Sequence, residues 1–243
     1  MCAKCDTLEC RVQMIQDMHK AIEGTQLLLE SLQPNGNNSD PKVIEARKAH
    51  AFKTLIATVL SVRSKDETTM RIIEDLWKVY STPKQLAEAP LERVEQIIKS
   101  SGFYHQKALH IIEIGRIIHE TYHDEVPCDM DRLLDLPGVG RKVANCVLVN
   151  SFDIPAIPVD THVHRISNRT GWVQTKDPEQ TEKALEQLFP KEFWTLINYT
   201  LVSYGKTICK PINPECHSCP VADRCAKIIL ITKKQSKTNS QKK

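Results

Sequence analysis

Apolar side chains recur every three to four positions along most of this chain. Met70, Ile73, Trp77 and Tyr80 form one such stripe, and Ala108, Ile111, Ile112, Gly115 and Ile118 form another. This is the period of the α-helix, so the pattern predicts an all-α protein. Pro83 and Pro90 each stand where a short helix would open, because the fixed φ of proline suits a first turn. Gly102 stands where one would close. From Leu32 to Pro41 the periodicity lapses into turn formers, among them Pro34, Asn35, Gly36, Asn37 and Asn38, which predicts a linker. An amphipathic helix is expected before it, and about six helices after it, from Lys48 to roughly Phe152. A second break falls between Asp153 and Pro158, where Pro155 and Pro158 interrupt the pattern before a new helix starts at Asp160. The expected organisation is one domain over residues 47–154 and a second that combines 1–46 with 155–243. Residues 232–243 read as a disordered tail.

Composition narrows the class. A chain of 243 residues with 41% hydrophobic content can bury one large core or two modest ones. Net charge is only +3, but Lys233, Lys234, Lys237, Lys242 and Lys243 crowd the tail. Such a tail is a solubilising end or a sequence-independent attraction for phosphates. No apolar run reaches the roughly eighteen residues that would span a bilayer, and no targeting segment precedes the first helix. A soluble, cytoplasmic protein is expected.

There are nine cysteines. In a reducing compartment, clustered thiols read as metal ligands before they read as disulfides. Cys209, Cys216, Cys219 and Cys225 follow the pattern Cys-x6-Cys-x2-Cys-x5-Cys. Structural zinc sites usually take two well-separated Cys-x2-Cys pairs, and here only one short pair exists; together with the glycine hairpin some seventy residues earlier, which carries most of the weight, this favours an iron-sulfur centre over zinc. Cys2, Cys5 and Cys10 make a further pair plus one without a fourth ligand. Cys128 and Cys146 read as ordinary thiols.

The stretch Leu136-Pro137-Gly138-Val139-Gly140-Arg141-Lys142 places a very tight turn between two helical patterns. A glycine turn that opens a helix presents backbone N–H groups and the positive end of the helix dipole, which suits a phosphate oxygen. Lys142 would sit in the first turn of that helix, where the dipole disfavours its charge. A neutral amine is what a Schiff-base nucleophile needs, although a simple phosphate contact explains the residue equally well. Eighteen residues on, Val159-Asp160-Thr161-His162 begins the next helix, and Asp160 is placed as an N-cap whether or not it does chemistry.

Together the hairpin, the Val-Asp-Thr-His helix start and the cysteine loop resemble the endonuclease III family of helix-hairpin-helix DNA glycosylases, over roughly Ala49 to Cys225. The resemblance implies a six-helix barrel domain, a second helical domain holding a 4Fe-4S cluster on Cys209, Cys216, Cys219 and Cys225, and a monomer acting near the nucleoid. The implied partner is double-stranded DNA with a damaged or abasic nucleotide flipped out of the stack. It further implies that Lys142 attacks C1′ of the damaged nucleotide, that an oxidised pyrimidine leaves, and that β-elimination nicks the strand on the 3′ side. Asp160 would assist the lysine. Gly138, Val139, Gly140, His162 and Lys210 would contact DNA. Arg63 stands where bacterial members carry a glutamine that fills the gap left by the flipped nucleotide, and Phe103 stands where they carry a leucine wedge. Phe103 also fits an ordinary core position. A thymine/uracil-mismatch glycosylase of the same fold, a non-catalytic helix-hairpin-helix DNA-binding protein and an electron-transfer protein are the competing readings. An adenine-mismatch enzyme is disfavoured because Lys142 is kept and little chain follows Cys225.

Overall fold

The computed structural model describes residues 5–23 and 41–228, with the backbone alone over 41–48. Cys2, most of the expected linker and the lysine-rich tail lie outside the described residues. Among the described residues every regular element is helical, as the apolar period predicts, and no helix is long and apolar enough to cross a membrane. The chain divides into two compact units, residues 26–158 and residues 1–25 with 159–243.

Among its described residues the unit of residues 26–158 holds seven helices: α1 of the other unit (Leu8–Lys20) precedes α2 (Pro41–Ser61), α3 (Asp66–Trp77), α4 (Pro83–Ala87), α5 (Leu91–Ile98), α6 (Tyr104–Glu120), α7 (Met130–Leu134) and α8 (Arg141–Phe152). The boundary expected at 46/47 falls inside α2, which runs unbroken from Pro41 to Ser61. Helix formers fill residues 43–48, so nothing in the chain stops the helix there. Local signals explain the short elements. Thr82 and Gln85 form a capping box around Pro83, the first residue of α4, and the side chain of Asp129 caps α7. Pro90 is the N-cap of α5, as its place in the sequence suggested. α2 packs on α3 and α8, and α6 packs on α4 and α5. Phe52, Leu55, Ile56, Leu76, Ile111 and Val147 are among the side chains fully or nearly fully buried between them. A buried side chain of that size contributes about 1.5–3 kcal/mol towards offsetting the entropy of ordering the chain.

In the second unit α9 (Thr161–Thr170), α10 (Pro178–Leu188) and α11 (Trp194–Thr207) follow in order, with a short 3-10 turn at Lys191–Phe193. α11 packs on α1 and α9. Met14, Ile15 and Met18 of α1 and Ile197, Leu201 and Tyr204 of α11 are all buried. Asp177 caps α10, with Pro178 at its first position. A loop of turns over residues 208–227 closes the unit, and amides of Ala226 and Ile228 donate to carbonyls of Thr170 and Arg169 at the end of α9.

Candidate functional site

The hairpin between α7 and α8 is as tight as its two glycines require, but they serve different ends. Gly138 has φ 74, the left-handed region, and a Cβ there would run into the ring of His110 on α6. Gly140 has φ −95 and ψ 174, ordinary extended backbone, and a Cβ on it would meet nothing within 4 Å. The space beside its Cα is therefore open. It is the N-cap of α8 and supplies no side-chain hydrogen bond to the first turn, which leaves that turn suited to an anion. Val139 departs from expectation. Its side chain is buried and its amide donates to the carbonyl of Leu136 at 3.1 Å, so it builds the turn and does not face outward. Lys142 is the second residue of α8 and is half-buried.

Asp160 is the N-cap of α9, as the sequence suggested. Its Oδ1 accepts from the amides of His162 at 2.8 Å and Val163 at 2.9 Å. Both bonds end on one oxygen, so capping leaves Oδ2 for other chemistry. His162 turns its ring into its own unit, against Gly205 and within 3.2 Å of the Arg165 guanidinium. Burial lowers its pKa, with Asp160 opposing. Lys210 is also engaged within its loop, where its ammonium pairs with Glu215 at 2.6 Å. Lys142 and Asp160 belong to different units.

Arg63 and Phe103 are both exposed and both adopt left-handed backbone, with φ 54 and 59. The Arg63 guanidinium lies over the Phe103 ring, 5.2 Å from its centroid. At 63% exposure Phe103 is not a core residue, which settles the alternative its sequence left open.

The four loop cysteines are free thiols that line one cavity of about 110 Å³, together with Arg169, Tyr204, Ile166 and Val221. A single water needs roughly 10–15 Å³, so the space admits a polyatomic group. Among the described residues no three His, Cys, Asp or Glu side chains are arranged to hold one metal ion. A zinc site needs four sulfurs at about 2.3 Å from a single centre, whereas a cubane cluster takes each thiolate on a different iron. Four thiols around one cavity are the donor set that an iron-sulfur cluster takes. Arg169 donates to Cys209 Sγ at 3.3 Å, the Lys227 amide to Cys225 Sγ at 3.3 Å, and the Tyr204 hydroxyl lies 3.1 Å from Cys219 Sγ. Such donors stabilise anionic sulfur. Burial pushes the thiols of Cys209 and Cys225 up, so their ionisation calls for a bound cation. At the other end of the chain Cys5 and Cys10 form a disulfide, which removes both from any metal site.

Sequence reasoning passed over Lys107, Arg169 and Tyr204. Lys107 lies four residues before Ile111, on the buried stripe of α6, and that placement was the available signal.

Residues 56–191 match the profile of the HhH-GPD superfamily of base excision DNA repair proteins, and residues 209–225 match the iron-sulfur binding domain of endonuclease III. The chain is 50% identical over 179 residues to Endonuclease III of Thermotoga maritima, covering 74% of this chain and 84% of that protein. It superposes on the structure of a trapped endonuclease III–DNA covalent intermediate with a TM-score of 0.78, 33% identity, and coverage of 91% of this chain and 97% of that one. A thermostable thymine-DNA glycosylase shares the fold, with a TM-score of 0.75 at 20% identity over 90% of this chain and 95% of that one. The hairpin and the thiol cavity thus sit within matched segments, and the chain belongs to the endonuclease III family of the HhH-GPD base excision DNA repair superfamily.

Proposed function

We propose that this protein is a bifunctional DNA glycosylase and abasic-site lyase that removes oxidised pyrimidines from double-stranded DNA, acting as a cytoplasmic, nucleoid-associated monomer. What supports the reading above all is a lysine in the first turn of a helix opened by a phosphate-suited glycine hairpin, within a segment matching DNA repair enzymes. The amides at Gly138 and Gly140 grip a backbone phosphate beside the lesion. The Lys142 amine attacks C1′ of the extruded nucleotide, the bond from C1′ to the base breaks, and the base leaves with the electron pair and takes up a proton. The amine has lost its protons to form an imine with the opened sugar. Loss of a C2′ proton then expels the 3′ phosphate by β-elimination, and water releases Lys142. Asp160 Oδ2 accepts the amine's proton and steadies positive charge on the sugar, while Oδ1 keeps the helix capped. Arg63 and Phe103 occupy the space the nucleotide vacates.

Cys209, Cys216, Cys219 and Cys225 would hold a 4Fe-4S cluster, which supplies a cross-link for the loop and a site of one-electron chemistry when bound. Glycosidic cleavage and elimination require no electron from it.

Borohydride trapping is the test. Wild-type protein should form a covalent adduct with duplexes bearing an abasic site or thymine glycol, and Lys142→Ala should form none. No wild-type adduct, or an undiminished one in Lys142→Ala, would overturn the assignment. A cleavage panel with thymine glycol, 5-hydroxycytosine and uracil opposite guanine separates oxidised-base from mismatch preference.

A further inference from the structure

Arg63 lies in the loop between α2 and α3, and Phe103 in the loop between α5 and α6. Each holds left-handed backbone, which a non-glycine residue adopts only where other contacts impose it. The two loops meet closely. A Cβ on Gly102 would stand 3.1 Å from the carbonyl oxygen of Arg63, and the hydroxyls of Ser64 and Ser101 are 3.0 Å apart.

Lys107 sits beneath this meeting point, only 6% exposed. Its ammonium donates to the carbonyls of Leu60 and Val62 at 2.7 Å each and to Ser101 Oγ at 2.7 Å, with Ser64 Oγ at 3.1 Å. Three N–H donors match the three short contacts. Leu60 lies in the last turn of α2, so the cation also faces the negative end of that helix. No carboxylate is among these partners. Burial lowers the amine to about 8. Burying an ammonium without a counter-ion is unfavourable, and a neutral side chain would fill the same space at less cost. What the lysine does that a methionine could not is bind both loops at once.

We propose that Lys107 is a positioning residue for nucleotide extrusion: its ammonium ties the Arg63 loop to the Phe103 loop, so that both side chains enter the duplex as one preset wedge. The inference rests on the repair reading above and adds to it a residue that touches neither DNA nor substrate.

The test uses the cluster-loaded enzyme under single-turnover conditions on two substrates. A thymine-glycol duplex with 2-aminopurine beside the lesion reports extrusion by fluorescence. A single-stranded abasic oligonucleotide, trapped with borohydride, reports Lys142 chemistry with no duplex to open. Lys107→Met should slow extrusion about tenfold or more, because small misplacements of a positioning group are costly, while single-strand trapping stays within about twofold. Lys107→Arg, which keeps the cation, should recover most of the extrusion rate. In an Arg63→Ala/Phe103→Ala background Lys107→Met should cost less than about twofold more, since groups acting as a unit are not additive. Wild-type extrusion by Lys107→Met, full additivity with the wedge variants, or a parallel fall in single-strand trapping would each overturn the proposal. Failure of wild-type protein to trap on either substrate would instead sink the repair reading beneath it.

Discussion

Replacing Gly138 and Gly140 in turn by alanine separates what the hairpin needs in order to fold from what it needs in order to hold a phosphate. At Gly138 the backbone has φ 74, where an alanine is disfavoured by about 1 kcal/mol. The added methyl also overlaps the His110 ring, which cannot swing away freely because its Nε2 is held by the Gln106 amide at 2.8 Å. Displacing that ring adds a cost of similar size, so Gly138→Ala should lose roughly 2 kcal/mol. For a chain of this length that lowers Tm by roughly 4–8 °C. Gly140 is different. Its φ of −95 suits any residue and the space around its Cβ position is open, so the folded state accepts the methyl. A less favourable N-cap is offset by about 0.4–1 kcal/mol from a stiffer unfolded chain, and Tm should move by no more than about 2 °C. The methyl does stand in front of the first turn of α8, and holding a phosphate away from those amides should weaken DNA binding about tenfold, or about 1.4 kcal/mol. Circular dichroism melts and fluorescence anisotropy with a reduced abasic duplex, at one fixed salt concentration, measure the two quantities. The reasoning fails if Gly140→Ala melts several degrees low while binding normally, or if Gly138→Ala melts with the wild type.

Two further outcomes follow from the second unit. Asp160→Asn keeps an amide oxygen for the caps on His162 and Val163, so its melt should match wild type within about 0.5 kcal/mol. Its borohydride adduct should form at least about 100-fold more slowly, and a rate within a few-fold of wild type would reduce Asp160 to a helix cap. The Arg224 guanidinium, then Gln13, hydrogen-bond Asp17 and hold its carboxyl below the ordinary 3.8. A depressed acid stabilises the fold above its unfolded pKa and loses that contribution as pH falls through the lower folded value. Asp17→Asn should therefore be less stable than wild type by under about 1 kcal/mol at neutral pH, with the gap narrowing as pH falls below 3.8 in acid titrations followed by circular dichroism. A gap that persists at pH 2 would show that the ion pair is not its source.

The helices, their proline starts and the glycine hairpin were legible because each depends on neighbours within a few residues. Asp160 as a cap and the cysteine loop as a cofactor cradle follow from the same local logic. What escaped depends on where distant segments meet. Gly138 and Gly140 look alike in sequence, yet a Cβ on the first would run into the His110 ring of α6 and one on the second would meet nothing, a difference fixed by how α6 packs beneath the turn. Lys210 reads as a free cation until the loop curls Glu215 against it. Cys5 and Cys10 flank the capping Thr7 of α1, and only the folded first turn brings their sulfurs together. Lys107 breaks the expectation that charge marks a solvated face, because its partners lie more than forty residues away along the chain at Leu60 and Val62.

α9 carries Asp160 at one tip and Arg169 near the other, with the Arg169 guanidinium clasping Cys209 Sγ and the carbonyls of Lys210 and Pro211. At 1.5 Å per residue that rod spans only about 15 Å, too short and too well bonded to flex between its ends. On the function proposed above, loss of the Arg169 contacts at the cysteine loop would be carried along this stiff strut to Asp160, slowing the chemistry while the glycine hairpin keeps its hold on the duplex.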